Sequence, residues 1–310
     1  MNKKDKEKYK FIRFSEDYKS KVIRLLSEEW NYSTEMFQWK FFKNPFSDKI
    51  IAYVALLGEE VVGFRGFIPL SFSDRDYNFQ VLSLTDGYIS QNHRRKKLFT
   101  LLNKFAIEDL KARKKFEFIY SLSSVDNSTQ AYLKSGWLSS GKKQVLFYRN
   151  FDYYFFGKLS IPKCFRKLSS LINSSKYSNK IMLSRKALLG EMIKLHMKIS
   201  HRGLKNSKTF EYLSWRLKNP SGNYYYSYFF NDEGKLLSYV ILDKKTNEWR
   251  VLDYEYLDIK TGKRHFNYLG NLQIKSLISI NDYSSDDNKS KELKKLGFKL
   301  SPFFHRIFPK

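Results

Sequence analysis

One run of residues has both the charge and the geometry to hold a phosphate. Leu84-Thr85-Asp86-Gly87-Tyr88-Ile89-Ser90 reads as the end of a strand, Gln91-Asn92-His93 as a turn, and Arg94-Arg95-Lys96-Lys97-Leu98-Phe99-Thr100 as the start of a helix. A turn that opens a helix leaves several backbone N–H groups without intrahelical partners. Those donors and the positive end of the helix dipole favour an anion. Two arginines and two lysines concentrate positive charge at the same place. A pyrophosphate fits such a cradle. The plainer alternative is a solvated basic helix start.

A second constellation follows in the chain. Phe116 to Leu122 is strand-like, and after it come Asp126-Asn127-Ser128, a short helical stretch, and Tyr132-Leu133-Lys134-Ser135-Gly136-Trp137. Gly136 suits a left-handed helix end. Taken singly, Asn127 could be a helix cap and Tyr132 a buried aromatic.

Taken in order, about 35 residues apart, the two runs resemble the acyl-CoA motifs of the GNAT N-acetyltransferase superfamily. The first family motif is Arg/Gln-x-x-Gly-x-Gly/Ala after the fourth strand. Arg94 falls on its first position, Lys97 on the first Gly and Phe99 on the Gly/Ala. Lys97 departs from the pattern. Glycine there lets backbone approach phosphate, so Lys97 is expected to take ordinary helical angles with its side chain turned away or onto a phosphate. The second family motif is an Asn, a helix, then Tyr/Phe-x-x-x-Gly-Phe/Trp, which Asn127, Tyr132, Gly136 and Trp137 match. The resemblance implies that acetyl-CoA is the co-substrate, with no metal. It places Ile89, Arg94, Arg95, Lys97, Leu98, Phe99, Thr100 and Asn127 at the acyl-CoA and Tyr132 as proton donor to the departing thiolate. It also implies a bulge over Tyr88 to Ser90 whose N–H groups hold the acyl carbonyl. Asp86 is the acidic group on that strand that could deprotonate an amine; capping the turn at Gly87 is the alternative.

The elements that must position these residues can be read from the pattern. Tyr9 to Phe14 suits a first strand. Val22, Leu25, Leu26 and Trp30 make one helical stripe, and Thr34 begins a second helix that stops at Asn44-Pro45. Two strand-like runs, Ile50 to Leu57 and Val61 to Phe72, flank Gly58 as a hairpin. Tyr77 to Ser90 is the fourth strand, Leu98 to Ala112 the motif helix, and Val145 to Arg149 a strand expected to close the first domain. The order matches the GNAT arrangement.

The last third then echoes the first. Trp39-Lys40-Phe41-Phe42-Lys43-Asn44-Pro45 has a partner in Trp215-Arg216-Leu217-Lys218-Asn219-Pro220, the Gly58 hairpin in one at Gly234, and Gly136-Trp137 in Gly297-Phe298. An internal repeat of about 175 residues implies a doubled fold. The expectation is an α/β (α+β) protein of two tandem GNAT-like domains, each a mixed, mostly antiparallel sheet flanked by helices. Residues 1–152 would hold the acyl-CoA motif, 153–205 a basic linker and 206–310 a degenerate copy. Between Leu272 and Asp287 that copy has no Arg-x-x-Gly pattern, so it is expected to bind no CoA and to shape the acceptor site instead.

Composition narrows the class. The chain has 57 Lys+Arg against 31 Asp+Glu, a net charge of +26, which calls for an anionic partner. Cys164 is the single cysteine, so neither a disulfide framework nor a multi-cysteine metal site can form. Met1 to Lys10 is charged and unlike a secretory signal, and no run of about 18 apolar residues is present. A cytoplasmic location is expected. Residues 158–205 carry twelve Lys/Arg and one acid, Glu191. Within 155–172, aromatic residues interleave with lysines, as in a peripheral membrane contact; packing between domains is the favoured alternative. The resemblance implies a small-molecule primary amine as acceptor. Two-copy GNAT proteins resemble enzymes of bacterial surface-polysaccharide pathways, which points to an amino sugar on a nucleotide or lipid carrier, and not to nucleic acid. Two other functions remain open: an aminoacyl-tRNA-dependent, Fem-like transferase, and a non-catalytic membrane- or nucleic-acid-binding GNAT pair. The oligomeric state is not legible.

Overall fold

The computed structural model describes residues 9–74, 77–113, 115–121, 126–138, 145–149, 180–199, 205–246, 248–270, 277–282 and 287–300. The stretch 155–172, for which packing between domains was favoured over a membrane contact, lies outside the described residues. Two compact units form: Met1–Ser139 with His201–Ser221, and Ser140–Ser200 with Gly222–Lys310.

The first unit is a mixed sheet. Its strands are β1 (Tyr9–Arg13), β2 (Ile51–Leu57), β3 (Glu60–Asp74), β4 (Tyr77–Ile89) and β5 (Phe118–Tyr120), in spatial order β1-β2-β3-β4-β5. Neighbours are antiparallel except β4 and β5, which pair in parallel over Val81–Ser83 and Phe118–Tyr120. The last half of β4, Leu84 to Ile89, therefore runs beyond the described pairing with β5. Helix α1 (Lys19–Ser27) and helix α2 (Thr34–Phe37), which continues into a π-helical turn over Gln38–Phe42, cover one face. Val22, Leu26, Phe37 and Phe41 pack there on Val54 and Phe64. Helix α3 (Leu98–Arg113) covers the other face, burying Leu98, Leu102, Ala106 and Leu110 at helical spacing against Val62, Phe67 and Leu82. Helix α4 (Asp126–Lys134) ends at Gly136 with φ +83°.

The second unit is a seven-stranded sheet among the described residues. It contains β6 (Val145–Arg149), β7 (Ile181–Ser184), β9 (Tyr224–Phe230), β10 (Leu236–Lys244), β11 (Glu248–Tyr256), β12 (Leu277–Asp282) and β13 (Lys299–Leu300), with helices α5 (Leu189–Lys198), α7 (Ile259–Tyr268) and α8 (Asp287–Lys295). Only β11 and β12 run parallel. The parallel pair follows the same hairpin in both sheets, as a doubled fold requires.

Two expectations about the chain's division need correction. Val145–Arg149 does not close the first sheet: it pairs antiparallel with β12 and β13 of the second. The stretch 153–205 is not all linker either. From Ile181 onward it supplies β7, hydrogen-bonded to β9, and α5, packed on β10. Conversely β8 (Lys205–Asn206) pairs with β3, and helix α6 (Phe210–Arg216) belongs to the first unit. The reason is a reciprocal contact. The rings of Trp39 and Trp215 stack at 5.1 Å, and each indole N–H donates to the other's carbonyl at 2.7 and 2.8 Å. Buried indole N–H groups need such partners, and the two repeats supply them to each other.

In the second unit's core, His265 is fully buried between two serines. Ser238 donates its hydroxyl hydrogen to the Glu255 carbonyl, so it accepts from His265 Nδ1–H at 2.8 Å, and Nε2 accepts from Ser227 at 2.8 Å. Burial holds the imidazole's pKa down to about 3, against an ordinary 6.5. The neutral ring is thus native, while the unfolded chain protonates below its ordinary value. Stability from this residue is complete above that value and falls with pH down to the native one. Denaturant titrations near pH 7 and pH 5 should show an acid loss in wild type of about 2 kcal/mol from this source. His265→Gln should lack that part of the loss.

Candidate functional site

The bulge at the end of β4 organises the site. Phe64 faces Tyr88 and Gly66 faces Thr85, so Arg65 alone opposes Asp86 and Gly87. The bulge therefore lies at Asp86–Gly87, upstream of the expected Tyr88–Ser90, and the Ser90 N–H is spent on the Val62 carbonyl at 3.0 Å. Asp86 takes φ +45° there, a conformation that short polar side chains tolerate better than most. Gly87 is required by contact: a Cβ on it would lie 2.0 Å from the Arg65 guanidinium.

Arg65 is 3% exposed. Its Nη2 donates to the Tyr132 hydroxyl at 2.9 Å and its Nη1 reaches the Thr85 carbonyl at 3.4 Å. The guanidinium lies 4.9 Å from the Phe99 ring centre and 5.9 Å from that of Tyr132. Burial pushes its pKa down, opposed first by Tyr132. Its Nε has no hydrogen-bond partner among the described residues.

Asp86 is a hub rather than a free carboxylate. Lys40 Nζ sits 2.8 Å from both oxygens, the Tyr32 hydroxyl donates at 2.7 Å and the Thr85 hydroxyl at 3.0 Å. Burial, with Asp86 next, drives the Tyr32 hydroxyl pKa upward, so Tyr32 stays a donor. Lys40 reaches this site from the π-helical turn, closed by the Lys43 N–H on the Gln38 carbonyl at 3.0 Å. Alignment of the repeats explains the turn. Ser33 and Thr209 are equivalent N-caps, accepting from Met36 N–H and Tyr212 N–H at 3.2 Å, so Thr34, the first residue of α2 as expected, is preceded by its own cap, Ser33. The caps lie equally far from Trp39 and Trp215, but the first copy has one more residue before Asn-Pro. A single inserted residue is what a π-bulge accommodates.

The basic turn takes an unexpected backbone. Lys97 has φ +57° and Arg95 φ +62°, so Lys97 adopts the left-handed conformation natural to the family's glycine rather than the expected helical one. Both side chains are exposed, and among the described residues neither has an ion-pair partner. Arg94 is more engaged: it donates to the Ile89 carbonyl at 3.2 Å, pairs with Glu29 at 3.0 Å and stacks on Tyr88 at 5.2 Å. Lys96 donates to Tyr9, which also bonds His93. Leu98 is buried, Phe99 packs 5.9 Å from the Tyr132 ring, and Thr100 is exposed on the first turn of α3. Ile89 is buried beneath that turn. Asn127 lies in the first turn of α4; its side chain is outside the described residues.

The structure thus brings Asp86 and, through Arg65, Phe99 and Tyr132 to one bulge, with Arg94 on the Ile89 carbonyl at the end of the same strand, and adds Arg65, Lys40 and Tyr32, which the motifs did not flag. One signal was present: Arg65 is the lone charge in Val61-Val62-Gly63-Phe64-Arg65-Gly66-Phe67-Ile68, and a charge in a buried strand calls for explanation. In the second copy the equivalent positions lack the chemistry. Gly136 aligns with Gly297, which puts buried Leu293 where Tyr132 stands. The Gly58 and Gly234 hairpins align Arg65 with Ile241, again beside a bulge.

Left-handed backbone costs a residue with a Cβ about 1–2 kcal/mol. Lys97→Gly should relieve that strain by more than glycine's added unfolded-state freedom, about 0.4–1 kcal/mol, takes back. Its melting temperature should rise. Lys96→Gly, at a site without positive φ, should lower it.

No family model matches the sequence, and no curated protein matches it. Solved structures do. A probable N-acyltransferase from Enterococcus faecalis V583, a conserved protein of unknown function, superposes with TM-score 0.65 at 12% identity, over 94% of this chain and 70% of that one. A GCN5-related N-acetyltransferase from Kribbella flavida gives 0.59 at 11% identity, over 90% of this chain and 65% of that one. N-myristoyltransferase of Saccharomyces cerevisiae, solved with myristoyl-CoA bound, gives 0.58 at 13% identity, over 95% and 76%. This chain therefore spans about two thirds to three quarters of these neighbours' lengths. At such identities the likeness speaks for the fold: the chain has an α+β GNAT fold, built as two mixed, mostly antiparallel sheets flanked by helices.

Proposed function

We propose that the protein is an acyl-CoA-dependent N-acyltransferase, most simply an acetyltransferase, with one active centre in its first unit. A single observation carries this: the left-handed basic turn at Arg95–Lys97 opens α3, whose Phe99 meets Arg65 together with the Tyr132 hydroxyl at one strand bulge. The residues present suit acyl-CoA. Exposed Arg95 and Lys97 and the first N–H groups of α3 would meet its phosphates, and the lysine in the glycine position already has the backbone shape a cradle needs.

In this reading an amine attacks the thioester carbonyl directly, so the protein's task is to align two reactants and manage two protons. Tyr132 gives the proton that the departing sulfur needs. Asp86, with its oxygens engaged by Lys40, Tyr32 and Thr85, is assigned to fixing the bulge rather than to taking the amine's proton. The acceptor is a small primary amine. An amino sugar on a nucleotide or lipid carrier is the suggested class, by analogy alone, and its phosphates would suit the basic surface. The second copy has Leu293 where Tyr132 stands, which favours a single active centre in the first unit.

Calorimetry with acetyl-CoA tests the cradle. Arg95→Ala combined with Lys97→Ala keeps a Cβ at both positions, so the backbone constraint is unchanged while two charges go. Affinity should fall about tenfold or more. Unchanged affinity in a folded double variant would remove the cradle assignment.

A further inference from the structure

We infer that Arg65 is a positioning residue for Tyr132: it occupies the phenol oxygen so that the hydroxyl hydrogen is left for the departing sulfur, and it carries the negative charge that remains once that hydrogen is given. This rests on the acyltransferase assignment and goes beyond it, because no motif names Arg65.

The argument starts from a buried cation. A guanidinium at 3% exposure ordinarily has a carboxylate in its fork. Here no carboxylate lies within ion-pair distance among the described residues. Asp86 is near enough to act on it through space, yet its oxygens accept from Lys40, Tyr32 and Thr85. Lys40, from the π-turn, pairs with Asp86, and the arginine's charge is left without a carboxylate of its own. What Arg65 does bond is a neutral phenol, at 2.9 Å. Arginine can only donate, so it must take a lone pair of the Tyr132 oxygen, and no described residue accepts that hydroxyl's hydrogen.

The chemistry completes the picture. The amine nitrogen bonds to the acyl carbon, the carbon–sulfur bond breaks and its electron pair goes to sulfur. The sulfur takes the Tyr132 hydrogen and leaves as a thiol. The proton lost by the amine passes to solvent, and the phenolate regains one from solvent. While the phenolate exists, Arg65 is its counter-ion at hydrogen-bond distance in a dry site, where such a contact is strongest. The second copy agrees: Ile241 and Leu293 replace the arginine and the tyrosine together.

A binding experiment without acceptor tests this. Coenzyme A and desulfo-coenzyme A differ only at the sulfur, and near about pH 9 a thiol of this type is substantially ionised. Wild type should prefer coenzyme A by about tenfold, through the Tyr132 hydroxyl and the charge behind it. Arg65→Met and Tyr132→Phe should each bring that preference close to one, with desulfo-coenzyme A affinity kept. A wild-type preference in folded Arg65→Met, lost in Tyr132→Phe, would overturn the role of Arg65 and leave Tyr132 as the acid. A preference kept in both would show that the sulfur is not at Tyr132 and remove both assignments. Failure of wild type to bind either compound would remove the acyl-CoA assignment and this one with it. If the methionine variant does not fold, Arg65→Gln, neutral and polar, is measured to the same criteria.

Discussion

A positive charge enclosed by protein sets the constraints on the first unit. Arg65 sits in the middle of β3, where the strand is covered on both faces, and its side chain must go somewhere. It goes over Gly87, the one residue type that leaves room. That demand fixes the bulge, and the bulge turns Asp86 into a left-handed conformation. Asp86 then needs donors, and Lys40, Tyr32 and Thr85 provide them. Lys40 in turn comes from a π-helical turn. Each feature would be a local oddity alone, and each follows from housing the guanidinium.

The doubled fold shows which parts are scaffold and which are chemistry. Both copies keep the cap, the tryptophan, the Asn-Pro stop, the hairpin glycine and the glycine that ends the last helix. Asn44 and Asn219 even make the same turn, each accepting from the N–H two residues on. The first copy alone adds the arginine, the tyrosine, the basic turn and the extra helical residue. Duplicated architecture can thus keep a shape while the two copies carry different side chains at equivalent positions.

Much of this was legible in the sequence, and the failures have physical causes. Hairpins at Gly58 and Gly234, with φ +59° and +75°, and the helix end at Gly136 were readable because only glycine takes those angles cheaply. Arg94, Lys97, Phe99 and Tyr132 stood out as motif positions because spacing can be read from a single chain. The partner of β6 was not legible, since Val-Leu-Phe-Tyr, ahead of Arg149, is an unbroken apolar run that would suit either sheet. The backbone of Lys97 was misread because residue type argues for ordinary angles, while the loop's closure onto α3 demands others. Arg65 was passed over although it is the lone charge in an apolar strand, because the pattern does not say what such a charge will bond.

The exchange of elements between the repeats has a consequence for dissection of the molecule. A fragment of residues 1–152 would carry β6 with neither β12 nor β13 beside it, presenting two open ladders of backbone donors and acceptors. It would also leave the Trp39 indole without the carbonyl it bonds. The complementary fragment would have β12 open on one side and β13 without its neighbour. Exposed edges of this kind recruit other chains. The cheapest repair is the same strand from a second molecule, so truncation at the apparent domain border invites domain swapping.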